Sequence, residues 1–171
     1  MENKDYIRTI YLAGGCFWGV EEYYRRLKGI IATEVGYAQG HTEHPSYEEV
    51  CTGTSGHTET VKVIYDHRDL ALVQVLDHFF RMIDPTQVNR QGNDVGTQYR
   101  SGIYTTNHND LLIAQDFVQE RQSHYKDRIA VEVELLKNYF PAEERHQIYL
   151  AKNPGGYCHI DFSLIEKDEL K

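Results

Sequence analysis

The sequence predicts one α/β domain (an α+β arrangement) built as a two-layer sandwich, with helices on a mixed sheet and an irregular C-terminal tail. Three observations favour this fold class. Strand-like segments alternate with helix-like segments of about three to four turns, tight hairpins are few, and no repeat or low-complexity stretch interrupts the pattern. The chain of 171 residues suits a single catalytic domain, which we expect to span residues 1–171.

In the first part of the chain, apolar residues alternate as they do in strands, with two helical stretches between them. The segment after Gly19 has helical spacing and ends near Gly29, and a single helical turn is expected before Gly53. The predicted strands are 7–12, 30–37 and 59–65, and the predicted helices are 20–27 and 47–51.

The second part contains the strongest helix signal, a set of apolar residues with the spacing of one helical face. These are Leu72, Val75, Leu76, Phe79, Phe80 and Ile83. Residues 87–100 are rich in glycine and amide side chains and have no period, so we expect a functional loop there. Further strands are predicted at 101–105 and 131–135, helices at 111–119 and 142–152, and a mobile tail at 153–171.

Composition restricts the class of function. The formal net charge is -8 and the pI is about 5.5, which argues against a nucleic-acid-binding surface. No apolar run approaches the roughly 20 residues of a membrane span, and the first residues lack the features of a signal peptide. The cysteines Cys16, Cys51 and Cys158 are too few for a disulfide scaffold, so we expect a cytoplasmic protein that uses thiols chemically.

Cys16 lies at a glycine-rich junction between the first predicted strand and the first predicted helix. Unpaired backbone N–H groups and the helix dipole favour a negative charge at such a junction, so we expect the pKa of this thiol to be lowered. Phe17 and Trp18 add aromatic surface beside the sulfur. The alternative is a cysteine that packs as a small buried hydrophobe in a tight turn.

Glu59 is a candidate general acid. Alternation in its strand places it on the same face as the apolar Val61 and Val63, while Thr60 and Lys62 point outward. Desolvation raises the pKa of a carboxyl group and can keep it protonated near neutral pH, as a general acid requires. The alternative is an ordinary strand-end glutamate in water.

The polar loops supply three further candidates. Asp94 is a second carboxylate, although from the residues alone ordinary Asn-Asp turn chemistry is the preferred explanation for it. Tyr47 and Tyr99 have phenol groups that could donate to a substrate oxygen, although half-buried packing is the default for tyrosine.

The same residues could also serve a hydrolase, a peptide-binding module or a metal site. A cysteine-dependent hydrolase would use Cys16 with a histidine and Asp94, and a non-catalytic module would bind peptides in an aromatic groove. Neither explains a second cysteine behind the flexible Gly155-Gly156 pair. We expect no metal site, because the candidate ligands match no strong metal-binding spacing; they are His41, His44, Cys51 and His57.

Five short blocks carry the most specific motifs. They are Gly15-Cys16-Phe17-Trp18-Gly19, Pro45-Ser46-Tyr47-Glu48-Glu49-Val50-Cys51, Gly56-His57-Thr58-Glu59, residues 90–101 (RQGNDVGTQYRS) and Lys152-Asn153-Pro154-Gly155-Gly156-Tyr157-Cys158. From about residue 7 to residue 160, the chain resembles the peptide methionine sulfoxide reductases of type A. The resemblance implies a ferredoxin-like sandwich and a reductase without a cofactor, which acts on the S epimer of methionine sulfoxide, free or in proteins.

The resemblance also implies roles for individual residues. Cys16 would be the nucleophile and Glu59 the acid. Tyr47, Asp94 and Tyr99 would surround the sulfoxide oxygen.

The remaining implied roles concern binding and recycling. Phe17 and Trp18 would hold the S-methyl group of the substrate, and Cys158 would be the resolving thiol that forms a disulfide. Thioredoxin is the expected reductant, because a dithiol must reset the site. No cysteine follows Cys158 in the sequence, so we expect thioredoxin to attack this disulfide directly. We further expect a monomer. Cys51 falls in a helical turn well inside the pattern of predicted elements, so we interpret it as structural, with a redox role as the alternative.

Overall fold

The computed structural model describes residues 5–171, which fold around a six-stranded sheet. The strands are β1 (Ile7–Ala13), β2 (Ile30–Ala38), β3 (Thr58–Asp66), β4 (Arg90–Gln91), β5 (Asp94–Val95), β6 (Gly102–Thr105), β7 (Glu132–Leu135) and β8 (Tyr139–Pro141). The helices are α1 (Phe17–Arg25), α2 (Tyr47–Cys51), α3 (Leu72–Met82), α4 (His108–Arg121) and α5 (Tyr149–Lys152).

The sheet is mixed, and its inner part has the ferredoxin-like order. The strands lie in the order β7-β6-β1-β3-β2-β8, with β6 and β7 parallel and every other neighbouring pair antiparallel. Because α1 connects β1 to β2 and α3 lies between β3 and β6, the inner strands form the split βαβ arrangement. The predicted α/β class with a mixed sheet and flanking helices is confirmed.

Alternation along the central strands builds the main core on one face of the sheet. Ile10, Leu12, Val61 and Val63 are fully buried there. They cluster with apolar side chains of α1 and α3, namely Val20, Tyr23, Val75, Leu76 and Phe79. This packing fixes α1 against the sheet, with its first turn at the end of β1.

The opposite face of the sheet is covered in part by the segment around β8. Tyr11 and Tyr104 are buried there, and the rings of Tyr11 and Tyr139 lie 5.0 Å apart. Thr60, which was predicted to point outward, is fully buried on this face. Thr60 is paired with Gly36 on β2, and the ring of Tyr139 packs directly against that glycine. The ring therefore covers this part of the face. The sequence did not predict β8.

The helix predicted for 142–152 is wrong in its first half. The backbone reverses at Ile148, where φ is 44°, and α5 begins only after that residue. Gln147 accounts for the break, because its side chain accepts from the Val35 N–H at 2.9 Å and donates to the Val35 carbonyl at 2.8 Å. A side chain that pairs with a strand edge in this way leaves no periodic signal in the sequence.

The segment after α5 is docked on the body of the domain. Ile160 and Ile165 belong to the core. The Glu169 carboxylate accepts two hydrogen bonds from the Arg81 guanidinium, at 2.8 and 3.0 Å. The structure therefore gives a docked position for residues 153–171, and their predicted mobility stays a prediction.

Candidate active site

Cys16 is the residue immediately before α1, and its side chain is almost entirely buried. The preceding Gly15 has a φ of +89°, and a Cβ at that position would lie only 2.8 Å from the Cβ of Gln91. Glycine is therefore required both by the backbone conformation and by the close approach of β4. This turn directs the chain so that the thiol lies at the start of the helix.

Glu59 lies on β3 and is tied directly to the same turn. Its Oε1 accepts a hydrogen bond from the Phe17 N–H at 3.1 Å, and the residue is 1% exposed. Among the described residues, its Oε2 has no hydrogen-bond partner. The structure thus brings together the predicted nucleophile and the predicted acid, with one carboxyl oxygen anchored and the other unengaged.

The electrostatics of this pair are dominated by burial. Burial raises the pKa of Glu59 to about 8, although the Phe17 N–H opposes the rise. Burial and then the charge of Glu59 raise the pKa of Cys16, against a hydrogen bond to the Trp18 backbone that lowers it. The prediction that the pKa of this thiol is lowered is wrong, because desolvation by burial raises the pKa more than the helix N-terminus lowers it. Both groups therefore hold protons near neutral pH.

The three loop candidates converge on the same carboxyl group. Burial and then the Glu59 charge raise the pKa of both Tyr47 and Tyr99, so both phenols remain protonated donors. Asp94, on β5, accepts a hydrogen bond from the Tyr157 hydroxyl at 3.0 Å and contributes to the raised pKa of Glu59. Its loop, predicted without regular structure, contains the β4-β5 ribbon and a 3-10 turn at Thr97–Tyr99.

The two aromatic candidates have different environments. Phe17 is 1% exposed and packs on the Tyr37 ring at 5.8 Å, so it is mainly a core residue. Trp18 is half-buried and stacks on the Tyr149 ring at 3.9 Å. Its Nε1–H donates to the Nδ1 of His146 at 3.1 Å, which fixes the plane of the indole.

Sequence reasoning missed the segment that supports these aromatic rings. His146 is buried and lies 4.4 Å from the Tyr47 ring, between centroids. Glu143 accepts from the Tyr47 N–H at 3.0 Å and from the Tyr37 hydroxyl at 2.8 Å. Both residues fall in the segment that was interpreted as a helix, so their contacts with α1 and α2 could not be anticipated from helical spacing.

Cys158 is half-buried beside α1, and its charge would raise the pKa of Cys16, so the two thiols are electrostatic neighbours. Cys51 is exposed at the end of α2, the helical turn that begins with Tyr47. The predicted helical turn at 47–51 is present, but the Cys51 side chain is exposed, because α2 is a single turn that packs through Val50. The structural role of Cys51 stays a prediction.

His159 is relevant to the hydrolase hypothesis. Its Nδ1 lies 3.9 Å from the Asp94 Oδ2, but its Nε2 pairs with the Gly14 carbonyl at 3.0 Å. Its Nε2 is therefore engaged by the backbone, and its Nδ1 has no hydrogen-bond partner among the described residues, so neither nitrogen pairs with the Cys16 thiol. Within residues 5–171, no three His, Cys, Asp or Glu side chains converge as a metal site, and no helix is long and apolar enough to cross a membrane.

Comparison with known proteins assigns the chain to a family. Residues 8–171 match the family model described as peptide methionine sulfoxide reductase. The chain belongs to this family. Peptide methionine sulfoxide reductase MsrA of Ureaplasma parvum serovar 3 is 50% identical over 162 residues, which are 95% of this chain and 98% of that relative. The resemblance inferred from the sequence motifs is thus confirmed.

Solved structures of peptide methionine sulfoxide reductases have the same fold. Mxr1 from Saccharomyces cerevisiae in reduced form superposes with a TM-score of 0.87 at 39% identity, covering 92% of each chain. The structure of Mxr1 in complex with Trx2 superposes with a TM-score of 0.63 at 28% identity, covering 85% of this chain and 88% of Mxr1.

Proposed function

We propose that this member of the peptide methionine sulfoxide reductases reduces the S epimer of methionine sulfoxide, free or in proteins, with Cys16 as nucleophile and Glu59 as general acid. The observation that carries the proposal is the buried Glu59 carboxyl, which is hydrogen-bonded to the first turn of α1 directly beside Cys16. A thiol and a protonated acid next to each other are what this reduction needs.

The chemistry explains why an acid must accompany the thiol. The sulfur of a sulfoxide is a weak electrophile, because its oxygen is a poor leaving group. Protonation of the oxygen by Glu59 makes attack by the Cys16 Sγ feasible. The oxygen passes from the substrate sulfur to the Cys16 sulfur: the S–O bond of the substrate breaks, an S–O bond to Cys16 forms, methionine leaves, and Cys16 becomes a sulfenic acid. The Glu59 carboxylate regains a proton from the attacking thiol, so atoms and charge balance.

The surrounding side chains suit the substrate on both sides of the sulfur. Tyr47 and Tyr99 keep their protons and can donate to the sulfoxide oxygen, with Asp94 nearby. On the apolar side, we assign the S-methyl group to Phe17 and to Trp18, whose half-buried ring is held by stacking on Tyr149. No cofactor is needed for this step.

Recycling requires a second thiol and an external reductant. Cys158 attacks the sulfur of the Cys16 sulfenic acid, which releases water and forms a Cys16–Cys158 disulfide. Thioredoxin then reduces this disulfide directly and restores both thiols. The relative Mxr1, crystallised with Trx2, supports thioredoxin as the partner. We further propose a monomer that acts in the cytoplasm, in keeping with its net charge of -8 and its free cysteines.

The first test separates this proposal from its rivals. The enzyme is incubated with dithiothreitol and either the R or the S epimer of a methionine sulfoxide peptide, and the methionine formed is counted. We expect methionine from the S epimer only, and none above background with Cys16→Ser. Equal use of both epimers, or turnover by the variant, would contradict the proposal. An acyl-enzyme burst on an ester would favour the hydrolase.

A further inference from the structure

Gly19 forms a notch on the surface of α1. A Cβ at this position would lie 2.8 Å from the Sγ of Cys158 and 2.8 Å from the Cγ1 of Ile160. Real Cβ atoms do not approach heavy atoms this closely, so only glycine allows the Cys158 segment to lie where it does. The backbone at Gly19 is ordinary helix, so the requirement concerns space and not conformation.

The notch lies close to the reacting thiol. Gly19 is in the first turn of α1, and Cys16 is the residue immediately before that helix. The charge of Cys158 would raise the pKa of Cys16, which also indicates that the two thiols are neighbours. A thiol seated in the notch is therefore about one helical turn along the chain from its proposed disulfide partner.

Residues on both sides of Cys158 hold it in this position. Tyr157 donates to Asp94 at 3.0 Å, and His159 pairs with the Gly14 carbonyl at 3.0 Å. Ile160 is buried in the core and donates its N–H to the Cys158 Sγ at 3.4 Å. The thiol is thus docked in a structure in which Cys16 and Cys158 are both free.

We propose that Gly19 is a positioning residue for the resolving step: the notch docks the Cys158 thiol within one helical turn of Cys16 and so sets the rate at which the disulfide forms. This inference rests on the proposed resolving role of Cys158. The step itself joins the Cys158 sulfur to the sulfur of the Cys16 sulfenic acid and releases water.

The test is a Gly19→Ala variant studied in a single turnover. Pre-reduced enzyme is mixed with the S epimer of a methionine sulfoxide peptide, and released methionine and the Cys16–Cys158 disulfide are quantified separately over time. We expect disulfide formation to slow by about tenfold, because a displacement near 1 Å can cost up to about 100-fold in rate. Methionine release, which does not involve Cys158, should keep its wild-type amplitude of one per enzyme.

A second readout tests the docked position directly. The alkylation rate of Cys158 by iodoacetamide is followed by peptide mass spectrometry, which separates it from the exposed Cys51. In Gly19→Ala this rate should rise about threefold or more, as the thiol loses protection. Gly155→Ala is the matched control. It also adds one methyl group, three residues before Cys158, but no heavy atom would lie within 4 Å of the added Cβ. It should leave the alkylation of Cys158 at the wild-type rate.

The outcomes are distinguishable. If Gly19→Ala formed the disulfide and was alkylated at wild-type rates, the proposed role of the notch would be overturned, and the proposed function would stand. If Gly19→Ala lost the methionine burst while the alkylation rate of Cys158 stayed unchanged, the substitution would be disturbing Cys16 and not Cys158. That result would also overturn the proposal. A wild-type enzyme that never forms the Cys16–Cys158 disulfide would overturn the resolving role and the notch together. Ala favours helix over Gly, so the variant is expected to fold.

Discussion

At the scale of single residues, the two oxygens of Glu59 have different surroundings and so different tasks. Oε1 accepts the Phe17 N–H, whereas Oε2 has no partner among the described residues. In the neutral carboxyl the proton therefore belongs on Oε2, where it can be donated to an oxygen of the substrate. The same N–H lies beside Cys16, so one backbone group orients the proposed acid relative to the proposed nucleophile.

A Glu59→Gln variant tests this assignment. Glutamine keeps the shape and the acceptor for the Phe17 N–H but cannot transfer a proton, so methionine formation should slow by about 100-fold or more, with a smaller effect on substrate binding. Single-turnover rates and the substrate concentration at half-maximal rate measure the two effects. An unchanged rate would transfer the acid role to Asp94 or to a tyrosine.

The same variant checks that the carboxyl is protonated in the folded state. The pKa of Glu59 is raised from 4.5 to about 8 on folding. Between these pH values the unfolded chain has lost a proton that the folded protein keeps. The free energy of unfolding of the wild type should therefore fall with rising pH, relative to Glu59→Gln, by up to about 1.4 kcal/mol per pH unit. Parallel curves for the two proteins from pH 5 to pH 8 would contradict a buried, protonated acid.

Some residue-level features could be predicted from the sequence and others could not. The face of β3 followed from simple alternation, so the burial of Glu59 with Val61 was predicted correctly. The pKa of Cys16 was not, because a helix start can be recognised in a sequence while the degree of burial depends on packing from distant segments. Gln91, which closes the turn at Gly15, is one such distant contact.

At the scale of elements, the proposed active site lies where α1 meets segments that have little regular structure. The end of β1 and the start of α1 provide Cys16, β3 provides Glu59, and the single turn of α2 provides Tyr47. The short α2 is fixed at its start by a capping box between Ser46 and Glu49. Short elements can hold a phenol in place here because each of them is anchored to the sheet or to a neighbouring loop.

The segment after α5 should matter for turnover but not for the first chemical step. With Cys158→Ser, we expect about one methionine per enzyme in a single turnover and no sustained activity with thioredoxin, because the sulfenic acid on Cys16 has no resolving partner. The measurement is methionine released per enzyme, with and without the thioredoxin system. Cys51→Ser is the matched control and should retain thioredoxin-dependent turnover. Full turnover by Cys158→Ser would refute the resolving role.

Regular elements were the most predictable part of the fold. α3 was predicted from its apolar stripe, and it begins at Leu72 and ends at Met82, just before Asp84-Pro85. β8 and the turn at Ile148 were missed, because both depend on pairing with β2, a partner about a hundred residues earlier in the chain. Periodicity records which face of an element is buried, but it contains no information about such long-range edge contacts.

At the scale of the whole molecule, the C-terminal segment ties the two core helices together. Arg81 on α3 bridges Asp77 and Glu169, and the Glu169 carbonyl accepts from the Lys28 N–H, just after α1, at 2.9 Å. Arg26 lies 3.9 Å from the Phe162 ring centroid, which adds a second contact between this segment and α1. Residues beyond Ile160 are therefore anchored at several points.

A Glu169→Gln variant measures the contribution of this anchor. Loss of a partly buried, paired carboxylate should lower the free energy of unfolding by about 1–2 kcal/mol, because Arg81 keeps its pair with Asp77 but faces a neutral amide in place of Glu169. Denaturant unfolding gives the value, and Glu120→Gln, at an exposed position on α4, is the control that should stay near the wild type. Methionine release in a single turnover should be unaffected, since the anchor is remote from Cys16. Equal stability of both variants would show that the ion pairs are energetically neutral.

The borders of the sheet have a consequence for an enzyme that would meet damaged chains. One border is β8, which is only three residues long and ends in Pro141, a residue without an N–H to offer. The other is β7, which is four residues long and carries two glutamates. Oxidised substrates that are partly unfolded expose backbone N–H and C=O groups. A long, apolar strand at the border of the sheet would pair with that backbone and form mixed aggregates. With both borders short and one of them charged, such chains have little to align with along the sheet.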